Sequence, residues 1–379
     1  ASFLSPFHDG YVYTSDARGD FEAVTLYKFE RYSSQQLIKI FSSTSSESFG
    51  FYYGRITGLL GFKPMRHEGK VTGLAAYGDS KKTLPLCKKM MDVSDGKIIA
   101  NIGDYYRPFF APYSEFLKEK IDRCSKEDIA AAAQEHLETM MTNLLGYHLE
   151  KAGAENVNLM CAGGVFGNVK ITQRLKEMDA VSEVYVQPQM GDGGLCIGAC
   201  ALANESFSDP KIGKKRLTKE LTSMYLGPEA NYRDRTQQSY SVEFHLKKYT
   251  MTEGIPALVE SLRNNKVIGL INGRMEFGPR ALCNRSIIVK TSDKSVNDWL
   301  NRRLNRTEFM RFPPALRAEV ADKCIKNYRA SDITLNFMTS TVDCTDEFER
   351  NNPAVVHVDH TARPQVVSEK SNNFIWEVL

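Results

Sequence analysis

The sequence predicts an α/β protein built from two domains. Two apolar runs, 157–162 and 182–187, each lead into a glycine-rich turn (163–164 and 191–194) and then into a helical segment. That alternation is typical of an α/β domain. The length of 379 residues by itself suggests two domains, with three as the alternative. Hydrophobic residues make up 42% of the chain and charged residues 25%, which are globular values and exclude disordered, collagen-like and coiled-coil proteins.

The first part of the chain predicts a β-hairpin and one long helix. Residues 11–16 alternate and carry aromatic residues and Thr, 17–20 form a turn, and 21–29 provide the return strand. Residues 33–49 are polar with little periodicity, so no element is assigned to them. Apolar residues recur with the 3.6-residue period over 128–151, which predicts a helix there.

Helices are expected after both glycine turns, over 168–178 and 195–204. A polar stretch with a basic cluster follows, and we interpret it as a linker or a crossing segment. Beyond it, 255–265 predicts a helix, and 266–271 predicts a strand that runs into an arginine-rich turn.

Composition excludes several classes of function. The 49 basic and 46 acidic residues leave a net charge of +3, which does not predict nucleic-acid binding but allows a local phosphate site. No window approaches 18 uninterrupted apolar residues, so no membrane span is expected. The eight cysteines are scattered without a CxxC pair, which favours a reducing, cytoplasmic compartment. Cys196 and Cys200 have the i, i+4 spacing of a helical metal site, although two small residues buried on a packed helix is the favoured interpretation.

The two glycine turns are candidate ligand sites. In 162–168 (AGGVFGN), glycines without a Cβ let main-chain N–H groups approach a phosphate, and the next helix adds its N-terminal dipole. A tight turn is the alternative. In 191–194, Asp192 lies among glycines and suits a metal or a ribose hydroxyl. A cap for the next helix is the alternative there.

Two further segments combine cations with glycine. Lys70, in the motif EGKVTGLAAYGD, is a candidate nucleotide contact, and a glycine-broken helix start with a solvated ion pair is the alternative. Segment 273–286 carries Arg274, Arg280 and Arg285 among Gly and Pro. Planar guanidinium groups suit phosphate and carboxylate oxygens. A solvated charge run is the alternative, but the interleaved apolar residues favour a shaped anion-binding surface.

The motif HVDHTAR raises the question of a metal site near the end of the chain. Its strand-like setting places His357 and Asp359 on one face and His360 on the other. That separation weakens a shared-ligand interpretation. Arg363 is the better candidate, as a further anion contact.

Five motifs occur in order along nearly the whole chain: EGKVTGLAAYGD, AGGVFGN, MGDGGLCIGAC, GRMEFGPRALCNRSI and HVDHTARPQVV. Together they resemble the ATP-dependent O-carbamoyltransferases of the nodulation-factor and tobramycin type. The resemblance implies that 1–205 form an actin/Hsp70-like (ASKHA) ATPase-type domain for carbamoyl transfer. It also implies a linker or crossing segment at 206–245 and a YrdC-like α/β domain at 246–379 that forms carbamoyl-adenylate.

The resemblance further implies the reaction. The YrdC-like domain joins carbamoyl phosphate and ATP into carbamoyl-adenylate and releases pyrophosphate. The first domain then transfers the carbamoyl group to a hydroxyl of a small-molecule acceptor and releases AMP. A divalent metal sits in the first domain, typically iron, with Mg²⁺ as the other option. The identity of the acceptor and the oligomeric state are left open, and a homodimer is compatible with the sequence.

Matched motif by motif, the resemblance assigns catalytic roles to Asp16, Lys70 and Asp192 and makes Asp16 and Asp192 metal ligands. The residues that it implies for binding ATP and carbamoyl phosphate are Gly163, Gly164, Asn168, Arg274, Arg280, Asn284, Arg285, Arg306, Arg311 and Arg363. Physical chemistry agrees with that assignment, because two anionic reactants are brought together only where fixed, non-titrating cations screen their repulsion.

Several family features are missing from the sequence, namely a paired-histidine metal motif, an opening glycine-rich phosphate hairpin and an LNTSFN-like motif. Cys283 and His360 stand where the family usually has glycine. Since two carboxylates rarely complete a transition-metal shell, we expect part of a longer enzyme. One alternative is a truncated, non-catalytic nucleotide-binding or interaction protein of the same fold. Another is a hydrogenase-maturation-type carbamoyltransferase, which the lack of CxxC pairs disfavours.

Overall fold

The computed structural model describes residues 1–206, 220–229, 247, 249–305 and 311–379. The strands are β1 (Asp9–Gly19), β2 (Glu22–Glu30), β3 (Leu37–Thr44), β4 (Met91–Ser94), β5 (Lys97–Ala100), β6 (Val157–Ala162), β7 (Val181–Val186), β8 (Ile268–Ile271), β9 (Arg285–Ile288), β10 (Ala315–Arg317), β11 (Val342–Asp343), β12 (Thr361–Ala362) and β13 (Gln365–Val367). The helices are α1 (Phe49–Leu59), α2 (Glu68–Ala75), α3 (Leu84–Met90), α4 (Glu115–Ile121), α5 (Lys126–Lys151), α6 (Val169–Lys176), α7 (Leu195–Ser206), α8 (Met251–Arg263), α9 (Ser295–Arg303), α10 (Ala321–Cys324), α11 (Asp346–Asn351) and α12 (Asn373–Val378).

A five-stranded mixed sheet, in the order β3-β2-β1-β6-β7, forms the centre of the first unit, which we define as residues 1–206. β1 pairs antiparallel with β2 and parallel with β6, and β7 continues the parallel half. Thr14 lies opposite Ala162 in the β1–β6 ladder. Parallel strands end at the same edge of a sheet, so Asp16 and the turns after β6 and β7 come together there.

The β1–β2 hairpin is irregular where β1 reaches this edge. Ser15 faces Val24 but Gly19 faces Glu22, so four residue steps of β1 (15 to 19) oppose two of β2 (22 to 24). Such a bulge breaks the regular alternation of side chains and re-aims them. Asp16 lies in the bulge, and its carboxylate contacts the turn after β6.

Helix α5 packs beside the sheet and carries much of the largest hydrophobic cluster. Its N-terminus is capped by Ser125, whose hydroxyl accepts a hydrogen bond from the N–H of Asp128 at 3.0 Å. Leu137 and Met141 are buried on its inner face, in one cluster with Tyr13 of β1. Burying a side chain of this size contributes about 1.5–3 kcal/mol, so this packing firmly positions the sheet.

The second unit, residues 249–379, contains three two-stranded sheets in its described part. β8 pairs antiparallel with β9, β11 antiparallel with β12, and β10 parallel with β13. It has a hydrophobic cluster of its own, which includes Leu316, Leu335 and Phe348.

The predicted linker at 206–245 lies largely outside the described residues, but 220–229 are described and packed. The N–H of Leu221 donates to the carbonyl of Leu4 at 2.9 Å. The hydroxyl of Tyr225 donates to the carbonyl of Leu282 at 2.6 Å. The segment 220–229 therefore contacts both units.

One face of α6 holds the two units together. Lys170, Gln173 and Lys176 follow one another at three-residue intervals and so share a helix face. Their partners in the second unit are Asp359 (an ion pair of 2.6 Å with Lys170), Thr341 (a hydroxyl that donates to Gln173 at 2.7 Å) and Asp332 (an ion pair with Lys176). The glycine turn before α6 is thereby fixed relative to the second unit.

The structure confirms the mixed α/β class, the hairpin and the strand–turn–helix units predicted around both glycine turns. The long helix starts at Lys126 and ends at Lys151, close to the predicted 128–151. The domain boundaries at 205 and 246 stay predictions. Among the described residues, no helix combines the length and the apolar character needed to cross a membrane.

Three predictions about local structure are wrong. Strand β3 lies within 33–49, where none was expected, because an edge strand paired on one side tolerates polar residues. Residues 355–358 form turns rather than a strand, since the N–H of His357 bonds locally to the carbonyl of Thr361 at 2.8 Å. Cys196 and Cys200 are exposed rather than buried, because α7 leaves its apolar side chains largely uncovered.

Candidate functional site

Asp16 is oriented at the sheet edge by main-chain N–H groups. Its Oδ1 accepts a hydrogen bond from the N–H of Ala17, and its Oδ2 accepts one from the N–H of Gly164, each at 2.7 Å. The hydroxyl of Ser48, which caps α1, donates to the main-chain carbonyl of Asp16 at 2.9 Å. The carboxylate is therefore positioned jointly by β1, by the turn after β6 and by the start of α1.

The turn after β6 requires glycine. Gly163 has a φ of +106°, and a Cβ there would lie 2.1 Å from the carbonyl oxygen of Ser15. A Cβ on Gly164 would lie 3.3 Å from Oδ1 of Asp16. Both glycines thus let the turn approach the aspartate closely, which fits the tight-turn alternative, and their role in phosphate binding stays a prediction.

Asp192 opens the short 3₁₀ turn Asp192–Gly194, which precedes α7, and its side chain is exposed. Gly191, and not Asp192, occupies the capping position of this turn. Asp192 therefore does not cap this turn, and both interpretations of its role, ligand contact and cap of α7, stay predictions. The carboxylate is available to a ligand at the same sheet edge as Asp16.

A cavity of about 400 Å³, which we call the nucleotide-side cavity, lies where the glycine turn meets α1, α2 and α5. Its lining includes Asp16, Asp192, Gly164, Asn168, Tyr53, Glu68, Thr72, Arg66 and Arg280. The structure therefore brings both predicted aspartates, the glycine turn and one predicted arginine to a single site.

Asn168 is held by a buried network that begins on α5. Its Nδ2 donates to Oε1 of Gln134 at 2.8 Å, and its Oδ1 accepts from Nε2 of Gln134 at 3.2 Å. The hydroxyl of Tyr53 donates to the same oxygen of Gln134 at 2.6 Å. Burial raises the pKa of the Tyr53 phenol far above its ordinary value, so this group stays a neutral donor.

Arg280 is the arginine of the second unit that reaches the nucleotide-side cavity. Its Nη2 donates to the carbonyl of Gly167, in the glycine turn, at 2.8 Å. Burial lowers the pKa of the Arg280 guanidinium. Its Nε is buried and lacks a hydrogen-bond partner among the described residues. Because an unsatisfied buried donor is costly, an anionic ligand in the cavity would relieve it.

The other predicted residues of the arginine-rich segment bind the main chain. Arg274 donates to two carbonyls of the 220–229 segment, at 2.9 and 3.0 Å. Arg285 donates to three carbonyls of its own loop, at 2.7, 2.9 and 3.1 Å. Asn284 donates to the carbonyl of Arg274 at 2.8 Å. These three side chains stabilise the loop, and none of them lines the nucleotide-side cavity.

A further cavity of about 550 Å³, within the second unit, is lined by Arg280, Arg285 and Arg363. Arg311 and Arg363 line a neighbouring cleft of about 40 Å³. Arg306 lies outside the described residues. Several arginine side chains therefore lie close to the junction of the two units, and their positive charge favours an anionic ligand there.

The HVDHTAR motif forms ion pairs. Asp359 lies 2.6 Å from Lys170 and 3.4 Å from Nδ1 of His357, whereas His360 lies 2.8 Å from Glu349. Burial opposes ionisation of Asp359, but the hydrogen bond with His357 and the charge of Lys170 hold its pKa well below its usual range. The two histidines thus have separate partners, as the sequence predicted.

Lys70 stands apart from the cavity. Its ammonium lies 5.8 Å from the ring centroid of Phe62, and Lys70 is absent from the described lining of the nucleotide-side cavity. Glu68 and Gly69 of the same motif do line the cavity. Glu68 also accepts a hydrogen bond from the N–H of Met65 at 2.6 Å. The motif reaches the site through these residues, and the catalytic role of Lys70 stays a prediction.

Sequence reasoning missed the side chains of a second cavity beside the two aspartates. A cavity of about 470 Å³, which we call the outer cavity, shares Asp16 and Asp192 with the nucleotide-side cavity. Phe51 and Arg55 of α1 and the loop residues 108–110 also line it. No recognisable motif marks them, because they come from a helix face and from a loop without a glycine pattern.

The carboxylates fit Mg²⁺ better than a self-contained iron centre. In the described part of the chain, no group of three His, Cys, Asp or Glu side chains is arranged to hold a metal. Mg²⁺ is commonly held by one or two carboxylates together with phosphate oxygens and water. Iron sites draw on additional nitrogen or sulfur ligands. Asp16 and Asp192 therefore suit Mg²⁺ that arrives with a nucleotide.

Two family models match the chain, one in each unit. Residues 1–201 match the carbamoyltransferase N-terminus and residues 259–379 match the carbamoyltransferase C-terminus. The chain therefore belongs to the carbamoyltransferase family.

Curated relatives agree with the family match. The chain is 28% identical to nodulation protein NolNO of Sinorhizobium fredii, over 99% of this chain and 54% of the relative. It is 27% identical to nodulation protein NolO of Bradyrhizobium diazoefficiens, over 99% of this chain and 67% of the relative. It is 30% identical to an uncharacterized protein of Methanocaldococcus jannaschii, over 100% of this chain and 63% of the relative. The chain thus spans little more than half to two thirds of these relatives.

Proposed function

We propose that the chain forms part of an ATP-dependent O-carbamoyltransferase that makes carbamoyl-adenylate and transfers its carbamoyl group to an acceptor hydroxyl. The observation that carries this proposal is that Asp16, Asp192, Gly164 and Arg280 line one cavity. The guanidinium of Arg280 suits an adenylate phosphate, and the carboxylates suit a reacting hydroxyl. The strand order of the sheet supports an ASKHA-type first domain. The second unit matches the carbamoyltransferase C-terminus, and its YrdC-like fold is proposed from the motif resemblance alone.

The proposed reaction balances in two steps. Carbamoyl phosphate, ATP and one water give carbamoyl-adenylate, phosphate and pyrophosphate. The acceptor oxygen then bonds to the carbamoyl carbon, the bond from that carbon to the AMP oxygen breaks, and the hydroxyl proton is released. Asp192, exposed at the cavity, accepts that proton, while Asp16, with both oxygens hydrogen-bonded, orients the reacting groups.

Asp16, together with phosphate oxygens and water, would hold Mg²⁺, which would neutralise charge on the phosphates, while Asp192 remains the base. An iron centre requires ligands beyond the described residues, and the roles of the two aspartates do not depend on one. The eight cysteines are all free thiols, which supports a reducing, cytoplasmic setting.

The test separates the two steps. Carbamoyl-phosphate-dependent exchange of labelled pyrophosphate into ATP reports adenylate formation, and AMP release, with water as a slow acceptor, reports transfer. We expect Asp192→Asn to keep the exchange but to lower AMP release by roughly 10²–10⁴-fold. Asp95→Asn, at an exposed turn outside both cavities, is the matched control. Absence of any carbamoyl-phosphate-dependent exchange in the unaltered protein would overturn the proposal.

A non-catalytic nucleotide-binding protein is the second candidate. It is favoured by the lack of a three-ligand metal group among the described residues. It predicts that ATP binds while neither exchange nor AMP release is detected.

A further inference from the structure

The outer cavity shares Asp16 and Asp192 with the nucleotide-side cavity. Gly164 and Asn168 line only the nucleotide-side cavity. The glycine turn therefore belongs to one of the two cavities and not to the other. The outer cavity adds about 470 Å³ beside the same two carboxylates.

The wall of the outer cavity is aromatic. The rings of Phe51 and Phe109 meet edge to face, with centroids 5.5 Å apart and planes at 83°. Phe109 also contacts Phe110, at 6.3 Å and 60°. The Phe110 ring is fully exposed, and its main chain has a φ of +61°. Unlike Phe21, which is also exposed at a positive φ, the Phe110 ring lies in the wall of this cavity, where a bound ring can stack on it.

Arg55 holds the loop that presents these rings. Its guanidinium donates to the carbonyl of Pro108 at 2.9 Å and to the carbonyl of Ala111. It also lies over the ring of Phe51, 5.4 Å from the centroid. Arg55 of α1 therefore holds the loop on both sides of Phe110, at Pro108 and at Ala111.

We propose that the outer cavity is the acceptor site and that it takes a hydroxyl carried on a ring with an apolar face. The ring stacks on Phe110, while its hydroxyl reaches the carboxylates of Asp16 and Asp192. This inference rests on the proposed carbamoyl transfer, because it places the acceptor beside the same two aspartates as the adenylate. The hydroxyl proton passes to a carboxylate as its oxygen attacks the carbamoyl carbon, and AMP leaves. Stacking on an aromatic face is common to sugar rings and aromatic alcohols, so both carry the required chemistry.

Ligand-observed saturation-transfer NMR with the full chain tests this site without requiring turnover. The probes are methyl β-glucopyranoside and benzyl alcohol, each measured with ATP present. Phe110→Ala should weaken ring binding by roughly 2- to 10-fold, the range of an aromatic stacking contact. Phe21→Ala is the matched control, since Phe21 is also exposed, has a φ of +67° and lines neither cavity. ATP affinity should be unchanged in both variants.

The outcomes separate this inference from the proposed function. Binding of the glucoside alone assigns sugars to the site, and binding of benzyl alcohol alone assigns aromatic alcohols. Failure of both probes to bind the unaltered protein overturns the inference, as does equal binding by Phe110→Ala. A loss of ATP affinity in Phe110→Ala also overturns it, because the ring would then stack on adenine. Ring binding without pyrophosphate exchange would contradict the proposed function while leaving the ring site in place.

Discussion

Arg280 of the second unit donates a 2.8 Å hydrogen bond to the main-chain carbonyl of Gly167 in the first unit. Its side chain lines both the nucleotide-side cavity and the large cavity of the second unit. Its buried Nε has no hydrogen-bond partner within the described chain. One guanidinium therefore holds the glycine turn and places a positive charge at a cavity where the two units meet.

Replacing Arg280 with lysine should weaken ATP binding more than it affects folding. Arg280→Lys keeps a positive charge but loses the planar fork, so hydrogen bonds to a charged ligand worth about 1.5–3 kcal/mol are lost. We expect a roughly 10- to 100-fold rise in the Kd for ATP, measured by calorimetric titration.

Arg329→Lys is the matched control for that measurement. Arg329 also donates across the units, to the carbonyl of Ser182 at 3.0 Å, but it lines neither the nucleotide-side nor the outer cavity. Its ATP affinity should stay within twofold of the unaltered protein. Equal effects in both variants would mean that Arg280 acts only through the contact between the units.

Gly163→Ala should destabilise the fold and distort the position of Asp16. The added Cβ meets the carbonyl oxygen of Ser15 at 2.1 Å, at a φ of +106° that favours glycine. We expect the free energy of unfolding to fall by about 2–5 kcal/mol, measured by urea denaturation. Gly198→Ala, within α7 and with nothing within 4 Å of its Cβ position, should be neutral or stabilising by up to about 1 kcal/mol. A neutral Gly163→Ala would show that the turn after β6 adopts another conformation.

The central strands and glycine turns were predictable because burial requires apolar residues and unusual local conformation requires glycine, and both requirements can be recognised in the sequence. Residues 157–162 are apolar because β6 lies in the middle of the sheet, and Gly163 is required by a positive φ. The sequence of strand β3 shows neither an apolar run nor a required glycine. It lies at the sheet edge, where Ile38 and Ile40 are exposed, so its pairing with β2, and not its own pattern, makes it a strand.

The candidate site was predictable only in part, for a related reason. Matching of motifs assigned Asp16, Asp192 and Arg280 to the site, and in the structure all three line one cavity. The same reasoning gave Arg274 and Arg285 equivalent roles, yet these side chains satisfy main-chain carbonyls. An arginine that binds a phosphate and one that supports a loop have the same local sequence pattern. The difference lies in tertiary contacts, which a single sequence does not record.

The ion pair between Lys176 and Asp332 should couple the stabilities of the two units. Its side chains are only 13% and 7% exposed, so removing one charge leaves the other poorly solvated. Lys176→Met should cost about 3–5 kcal/mol. A double-mutant cycle with Asp332→Asn, which can still accept the hydrogen bond from Thr334, should give a coupling energy of about 1–3 kcal/mol. The same cycle on the exposed pair Lys28 and Glu30 should give less than about 1 kcal/mol.

Two thiols should react rapidly with a disulfide reagent in the folded protein. Cys196 and Cys200 are exposed on α7, so Ellman's reagent should show a fast phase of two thiols that Cys196→Ser and Cys200→Ser together remove. Six thiols should react more slowly. Burial raises the pKa of four of them, Cys87, Cys161, Cys283 and Cys344, and the other two, Cys124 and Cys324, are half-buried. Unfolding in urea should release all eight. A fast phase that survives the double substitution would contradict the exposure of α7.

Protonation of the Asp128 carboxylate should lower the free energy of unfolding in acid. Hydrogen bonds from the N–H of Asp79 and the ammonium of Lys82 lower the pKa of Asp128 from 3.8 to about 2. A carboxyl whose pKa is lower in the folded state stabilises the fold above its unfolded pKa, and that contribution is lost as the pH falls from about 4 toward 2. Asp128→Asn should therefore unfold at lower urea concentrations than the unaltered protein near pH 6, and the difference between the two urea midpoints should narrow as the pH approaches about 3.

Asp95→Asn, at an exposed turn, is the control and should leave the curve of urea midpoint against pH nearly unchanged. A difference for Asp128→Asn that stays constant across this range would mean that Asp128 stabilises the start of α5 by hydrogen-bond geometry alone, without a contribution from its charge.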